Sequence, residues 1–182
     1  MAGAMKVGIT GLPGSGKTHT LLKVIEMLEA DGSAVGGMIT APIRENNSRV
    51  GFEVTDWMSK DHGCLAHTAI ESKVHVGSYG VDLITLERVG VGAITHAVTD
   101  ADIIVIDEVG KMEVESPGFI NAVKSALDSS KPLILTLHKK SRNPLLQDIR
   151  RRDDIRILEV TPINRNLLPY KIMKLLKGQE RV

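Results

Sequence analysis

Cysteine is almost absent from this chain. Cys64 is the only one, which excludes an internal disulfide framework and fits a reducing compartment. Aromatic side chains make up 3% of residues against 42% hydrophobic overall, so Val, Ile and Leu must fill the core, as suits buried parallel strands covered by helices. Neither sign of charge dominates: 23 basic and 22 acidic residues leave a net +1, with no long-range field to draw nucleic acid or an anionic membrane. No apolar run is long enough to span a bilayer, and no signal-like apolar stretch precedes Gly11. These absences predict a cytoplasmic protein without a membrane partner, and nucleic acid is not indicated. A length of 182 residues suits one α/β domain, expected over 5–182, with Met1 to Ala4 read as a leader ahead of Met5.

What is present centres on Gly11-Leu12-Pro13-Gly14-Ser15-Gly16-Lys17-Thr18, a full match to the phosphate-binding pattern G-x-x-x-x-G-K-[ST]. Its context supports it. Val7-Gly8-Ile9 precedes as a strand, and Leu21, Leu22, Ile25 and Leu28 follow at helical spacing. The glycines let the backbone turn tightly and aim N–H groups at an anion, and the helix points its positive end at the same place. Lys17 is expected to reach the β- and γ-phosphates and the Thr18 hydroxyl to ligate Mg²⁺; His19 completes the set of candidate nucleotide-binding positions.

Along the chain, a second strand is expected over 34–40, followed at Pro42 by an exposed loop bearing Arg44 and Arg49. The short β-like pattern from Val50 to Asp82 predicts an antiparallel insertion, and Leu83 to about Val98 a helix. Ile103-Ile104-Val105-Ile106-Asp107-Glu108 is an unbroken apolar strand ending in two carboxylates, the mark of a central parallel strand. Helix and strand patterns then alternate to a closing helix over 165–177. This alternation predicts a mostly parallel sheet flanked by helices, with ligands at the strands' C-terminal edge.

That edge unites Asp107 and Glu108 with the phosphate loop. Thr18 and Asp107 are the candidate Mg²⁺ residues, Asp107 acting through an intervening water. Glu108 is left to orient the attacking water and take its proton. An arginine often stabilises charge on the γ-phosphate; Arg44, Arg49, Arg150, Arg151, Arg152 and Arg165 are all candidates, although charge clusters usually lie on solvated faces. His62, Cys64 and His67 supply only three potential metal ligands with no matching pair elsewhere, so a metal site there is disfavoured.

With these residues in view, the chain resembles the nucleoside-triphosphatases of thermophilic-phosphohydrolase type, the family of the cancer-related nucleoside-triphosphatases. The likeness runs from Lys6 almost to the end. It rests on the phosphate loop, Arg49-Val50-Gly51-Phe52, Val76-Gly77-Ser78-Tyr79 with Val81-Asp82, the stretch from Ile106 to Glu113, and Asn164-Arg165. The resemblance implies a three-layer, RecA-like P-loop domain hydrolysing nucleoside triphosphates with Mg²⁺ and broad base tolerance. It also implies that Glu108 is the catalytic base and that Lys111 and Arg165 lie near the nucleotide. Two departures stand out: Ala41-Pro42-Ile43-Arg44 lacks the family's acidic residue before its loop arginine, and His19 replaces a common threonine.

The resulting expectation is a Mg²⁺-dependent nucleoside-triphosphatase releasing nucleoside diphosphate and phosphate. Two other readings share the loop: a nucleoside or nucleotide kinase, with the arginines at 150–152 as a lid, and a slow nucleotide-dependent switch acting on a protein partner through the 43–49 loop and the β insertion.

Overall fold

The computed structural model describes residues 3–179; the expected leader at 1–4 and domain end at 182 fall partly outside that span. In chain order, β1 (Lys6–Gly11) leads through the phosphate loop to α1 (Lys17–Ala30). There follow β2 (Val35–Glu45), β3 (Ser48–Asp56), β4 (His62–His67), β5 (His75–Val76) and β6 (Tyr79–Val81). A helical stretch comes next, comprising α2 (Leu83–Thr85), a wider π-helical segment Leu86–Val91 and α3 (Gly92–Asp100). The remainder alternates: β7 (Ile103–Val109), α4 (Pro117–Asp128), β8 (Leu133–His138), α5 (Pro144–Arg151), β9 (Ile155–Glu159) and α6 (Leu168–Leu176).

Among the described residues the nine strands form one sheet in the order β5-β6-β4-β3-β2-β7-β8-β1-β9. The five strands β2, β7, β8, β1 and β9 are parallel, and β3, β4, β6 and β5 extend the sheet antiparallel beyond β2. Period-two alternation sorts neighbouring residues of a buried strand to opposite faces. In β7, Ile103 and Val105 join Val7, Ile9 and Ile134 beneath α1 and α6, whereas Ile104 and Ile106 join Leu133 and Leu135 beneath α3, α4 and α5. Two aliphatic cores on either side of the sheet make the α/β fold expected from the composition, in the three layers that the resemblance implies. None of the described helices is long and apolar enough to cross a membrane.

Local chemistry sets the helix starts. The Ser116 Oγ accepts from the Phe119 N–H at 3.1 Å ahead of Pro117, and the Asn143 Oδ1 accepts from the Leu145 N–H at 2.9 Å ahead of Pro144.

The segment read as an exposed arginine loop is instead a β-hairpin. β2 continues past Thr40 to Glu45 and pairs with β3, and only Asn46 and Asn47 form the turn, with φ of 48° and 63°. Asparagine tolerates the left-handed region, and a turn of that hand matches the twist of the strands. The closing helix also differs, starting at Leu168. Residues ahead of it form turns tied by the Asn164 side chain, which accepts from the Thr161 N–H at 2.8 Å and donates to the Glu159 carbonyl at 2.8 Å.

Candidate active site

The phosphate loop leaves β1 at Gly11 and closes on itself where the Ser15 N–H donates to the Leu12 carbonyl at 3.0 Å. Gly16 caps α1 with φ of 104°, a conformation costly for a residue with a β-carbon, and α1 begins at Lys17. The N-terminal amides of α1 thus face the C-terminal edge of the sheet, where they favour an anion.

Asp107 is the anchor of the site. Its carboxylate is 1% exposed and accepts from the Thr18 hydroxyl at 2.9 Å on Oδ2 and from the Thr136 hydroxyl at 2.6 Å on Oδ1. Burial pushes its pKa up to about 6 against the lowering effect of those two hydroxyls. Glu108 points back over the loop: its Oε2 lies 3.2 Å from the Lys17 Nζ, which also donates to the Gly11 carbonyl at 3.1 Å. Lys17 itself is nearly buried, so its charge acts in a site of reduced solvent screening.

Two residues not anticipated from sequence complete this corner. Glu113 is buried, and burial together with the Glu108 carboxylate pushes its pKa up to about 8, so it carries a proton at neutral pH. Both carboxyl groups lie over Gly110, where a β-carbon would come 2.7 Å from the Glu108 Oε1 and 3.0 Å from the Glu113 Oε2. His138, at the end of β8, has its pKa lowered mainly by burial and stays neutral at pH 7. No motif distinguishes Thr136 or His138 within Leu133-Ile134-Leu135-Thr136-Leu137-His138; a lone threonine in an apolar strand was the only signal, and the pairing of that strand with β1 came from the fold.

Lys17, Thr18, Asp107, Glu108, Glu113 and His138 share one cavity of about 620 Å³. Leu12, Pro13, Gly14, Gly16, Lys17, Thr18 and His19 line it on the loop side, with Asp107, Glu108 and Lys111 beside them. Its far wall belongs to the antiparallel extension and carries Arg49, Phe52, Val76 and Tyr79. Gly11 and Ser15 sit behind the lining, shaping the loop.

The remaining arginines lie elsewhere. Arg44 and Arg165 are exposed and do not line the cavity, Arg165 standing in the turns before α6. Arg150 donates to the carbonyls of His138 and Ser141 at 2.7 Å each, and Arg152 binds the carboxylates of Asp128 and Asp154. Both therefore tie α5 and its ends to their neighbours, and neither hangs over the site as a lid. Cys64 donates to the Ala66 carbonyl at 3.5 Å and burial raises its pKa; among the described residues no group of three or more His, Cys, Asp or Glu could hold a metal ion.

Mg²⁺ needs no such group. It takes oxygen ligands and keeps several waters, using one or two protein oxygens together with substrate phosphates. Thr18 and Asp107 present a hydroxyl and a buried carboxylate 2.9 Å apart at the mouth of the anion-binding loop, a donor set of the right kind and number.

The sheet order, the loop after β1 and the paired carboxylates ending β7 define a P-loop NTPase. A family model described as NTPase matches residues 6–173. The nucleoside-triphosphatase THEP1 of Picrophilus torridus is 40% identical over 176 residues, covering 97% of this chain and 98% of that protein. That of Thermofilum pendens is 45% identical over 167 residues, covering 91% and 92%. Two solved structures share the fold: the crystal structure of THEP1 from the hyperthermophile Aquifex aeolicus has a TM-score of 0.84 at 31% identity, covering 95% of this chain and 99% of that one. The solution structure of a human cancer-related nucleoside triphosphatase has a TM-score of 0.81 at 32% identity, covering 98% and 100%. The chain belongs to this family of nucleoside-triphosphatases, hydrolases of nucleoside triphosphates.

Proposed function

We propose that this nucleoside-triphosphatase is a cytoplasmic, Mg²⁺-dependent enzyme that accepts ATP, GTP and other nucleoside triphosphates with little regard to the base, and that residues 5–182 act as one catalytic domain. The observation that carries the reading is Glu108, adjacent in sequence to Asp107 and 3.2 Å from the Lys17 Nζ. It supports a carboxylate at the γ-phosphate end of the site, where a hydrolase needs a base and a kinase needs room for an acceptor.

In this reading the loop amides and Lys17 hold the β- and γ-phosphates, while Thr18 and Asp107 hold Mg²⁺. The ion, when bound, neutralises charge that develops between the β- and γ-phosphates. Glu108 aligns the attacking water and accepts its proton as the water oxygen bonds to the γ-phosphorus. The bond to the bridging oxygen breaks, and its electron pair leaves with the diphosphate. Lys111, on the cavity wall beside Glu108, adds positive charge near the departing phosphate. Arg165, exposed in the turns before α6 and outside the cavity lining, is assigned near the nucleotide on the family resemblance alone. None of the assigned groups reads a base, which supports broad tolerance.

Phosphate release from ATP, GTP, CTP and UTP, with Mg²⁺ or with EDTA and without any acceptor, tests the proposal. Release from all four that EDTA abolishes is expected. Phosphoryl transfer that needs an added nucleoside or nucleotide would replace the hydrolase with a kinase.

A further inference from the structure

We infer that Arg49, carried on the antiparallel extension, is the arginine that stabilises the γ-phosphoryl group during hydrolysis. The inference rests on the hydrolase reading above and names a residue that reading leaves open.

Direction comes from the sheet. Lys17, the residue that reaches the β- and γ-phosphates, lies against Glu108 at the end of β7. The γ-phosphate end of the nucleotide is therefore on the β7 side of the loop. Beyond β7 the sheet continues through β2 to β3, and away from β7 on the other side it continues through β8 to β1 and β9. The wall that faces the γ-phosphate end is thus the one built by the extension, and Arg49, at the start of β3, is the one arginine among the residues lining the cavity.

Arg49 is also held in a manner that leaves its fork free. Its Nε donates to the Tyr79 hydroxyl at 3.3 Å, that hydroxyl donates to the Arg49 carbonyl at 3.2 Å, and the guanidinium lies 5.1 Å from the centre of the Phe52 ring. Phe52 and Tyr79 are themselves packed edge to face, with ring centroids 5.4 Å apart. The two terminal nitrogens of Arg49 make no hydrogen bond and no salt bridge with any described residue. A planar guanidinium fixed through its Nε, with both terminal N–H₂ groups unspent, presents the geometry that grips two oxygens of a phosphoryl group at once. The other candidate arginines lack this: Arg150 and Arg152 are spent on carbonyls and carboxylates, and Arg44, Arg151 and Arg165 lie outside the cavity lining.

In the reaction the γ-phosphoryl carries its charge on three equatorial oxygens as the water oxygen bonds to phosphorus and the bond to the bridging oxygen breaks. Arg49 adds two hydrogen bonds there, while Glu108 takes the water's proton. Because the contact strengthens during transfer, removing it lowers turnover more than binding.

The test compares wild type with Arg49→Ala and Arg49→Lys, the second keeping the aliphatic stem over Phe52. Phosphate release is read together with the affinity for ADP and Mg²⁺, with and without aluminium fluoride, a mimic of the phosphoryl group in flight. Expected are a loss of turnover of about a thousandfold in Arg49→Ala, unchanged affinity for ADP, and loss of the tightening that aluminium fluoride gives wild type. Arg49→Lys stays impaired, and added guanidinium ion restores part of the Arg49→Ala rate. An Arg49→Ala protein that hydrolyses like wild type, or one whose rate falls while aluminium fluoride still tightens ADP as in wild type, overturns the inference and leaves the hydrolase reading standing. A wild type that releases no phosphate overturns both.

Discussion

Asp107 concentrates the electrostatic tension of the site in one buried carboxylate whose two oxygens are shared between Thr18 and Thr136. Thr136→Val keeps the shape and removes one of those hydrogen bonds; we expect a stability loss of about 2 kcal/mol and a Mg²⁺ requirement raised about tenfold, read by denaturant titration and by activity against Mg²⁺. Lys17→Ala is expected to weaken triphosphate binding and abolish turnover together, because the ammonium contacts the phosphates before and during transfer. Glu113 gives a pH prediction. The folded chain keeps its proton to about pH 8, whereas the unfolded chain releases it near 4.5, so this residue's contribution is complete below pH 4.5 and shrinks as pH rises towards 8. Glu113→Gln removes that dependence, and its stability relative to wild type is expected to improve across the window by up to about 1.4 kcal/mol per pH unit, as thermal melts at either end would show. Of these residues, Lys17, Thr18, Asp107 and Glu108 were legible in the sequence because their chemistry depends on neighbours along the chain. Thr136 and Glu113 were not, since what defines them is a partner or a burial that only the fold supplies.

Among the elements, β2 is the one whose geometry the sequence concealed. Its first half pairs parallel with β7 and its second half antiparallel with β3, so one strand joins the nucleotide-binding sheet to the extension. Gly37 makes the close approach possible: φ is 131° and a β-carbon would come 1.9 Å from the Val105 carbonyl oxygen. Gly37→Ala is expected to cost about 3 kcal/mol or more, because the obstacle is the backbone of β7, an interior strand, and a chemical denaturation curve would measure it. Polar residues and a proline made Pro42 to Arg49 read as a loop. The pair Asn46-Asn47 was the overlooked sign, since two consecutive residues tolerant of positive φ fit a hairpin turn. In contrast, β7 was plain from sequence as an apolar run, buried on both faces.

At the scale of the whole molecule, the sheet order does the assembling. β7 lies between β2 and β8, and β1 between β8 and β9, so the phosphate loop, Asp107, Thr136 and the extension all arrive at one edge from segments distant in the chain. Strand and helix alternation foretold that edge; the pairing of β3, β4, β5 and β6 into a wall over it depends on long-range contacts that periodicity does not encode. Glu108→Gln separates water activation by Glu108 at this edge from nucleotide binding. Nucleotide affinity and phosphate release from ATP with Mg²⁺ would be measured on the same preparation. Triphosphate binding close to wild type is expected with turnover reduced by about a hundredfold or more, since the amide keeps the shape and cannot take the proton. Turnover equal to wild type with binding intact would contradict this expectation and remove Glu108 from the chemistry.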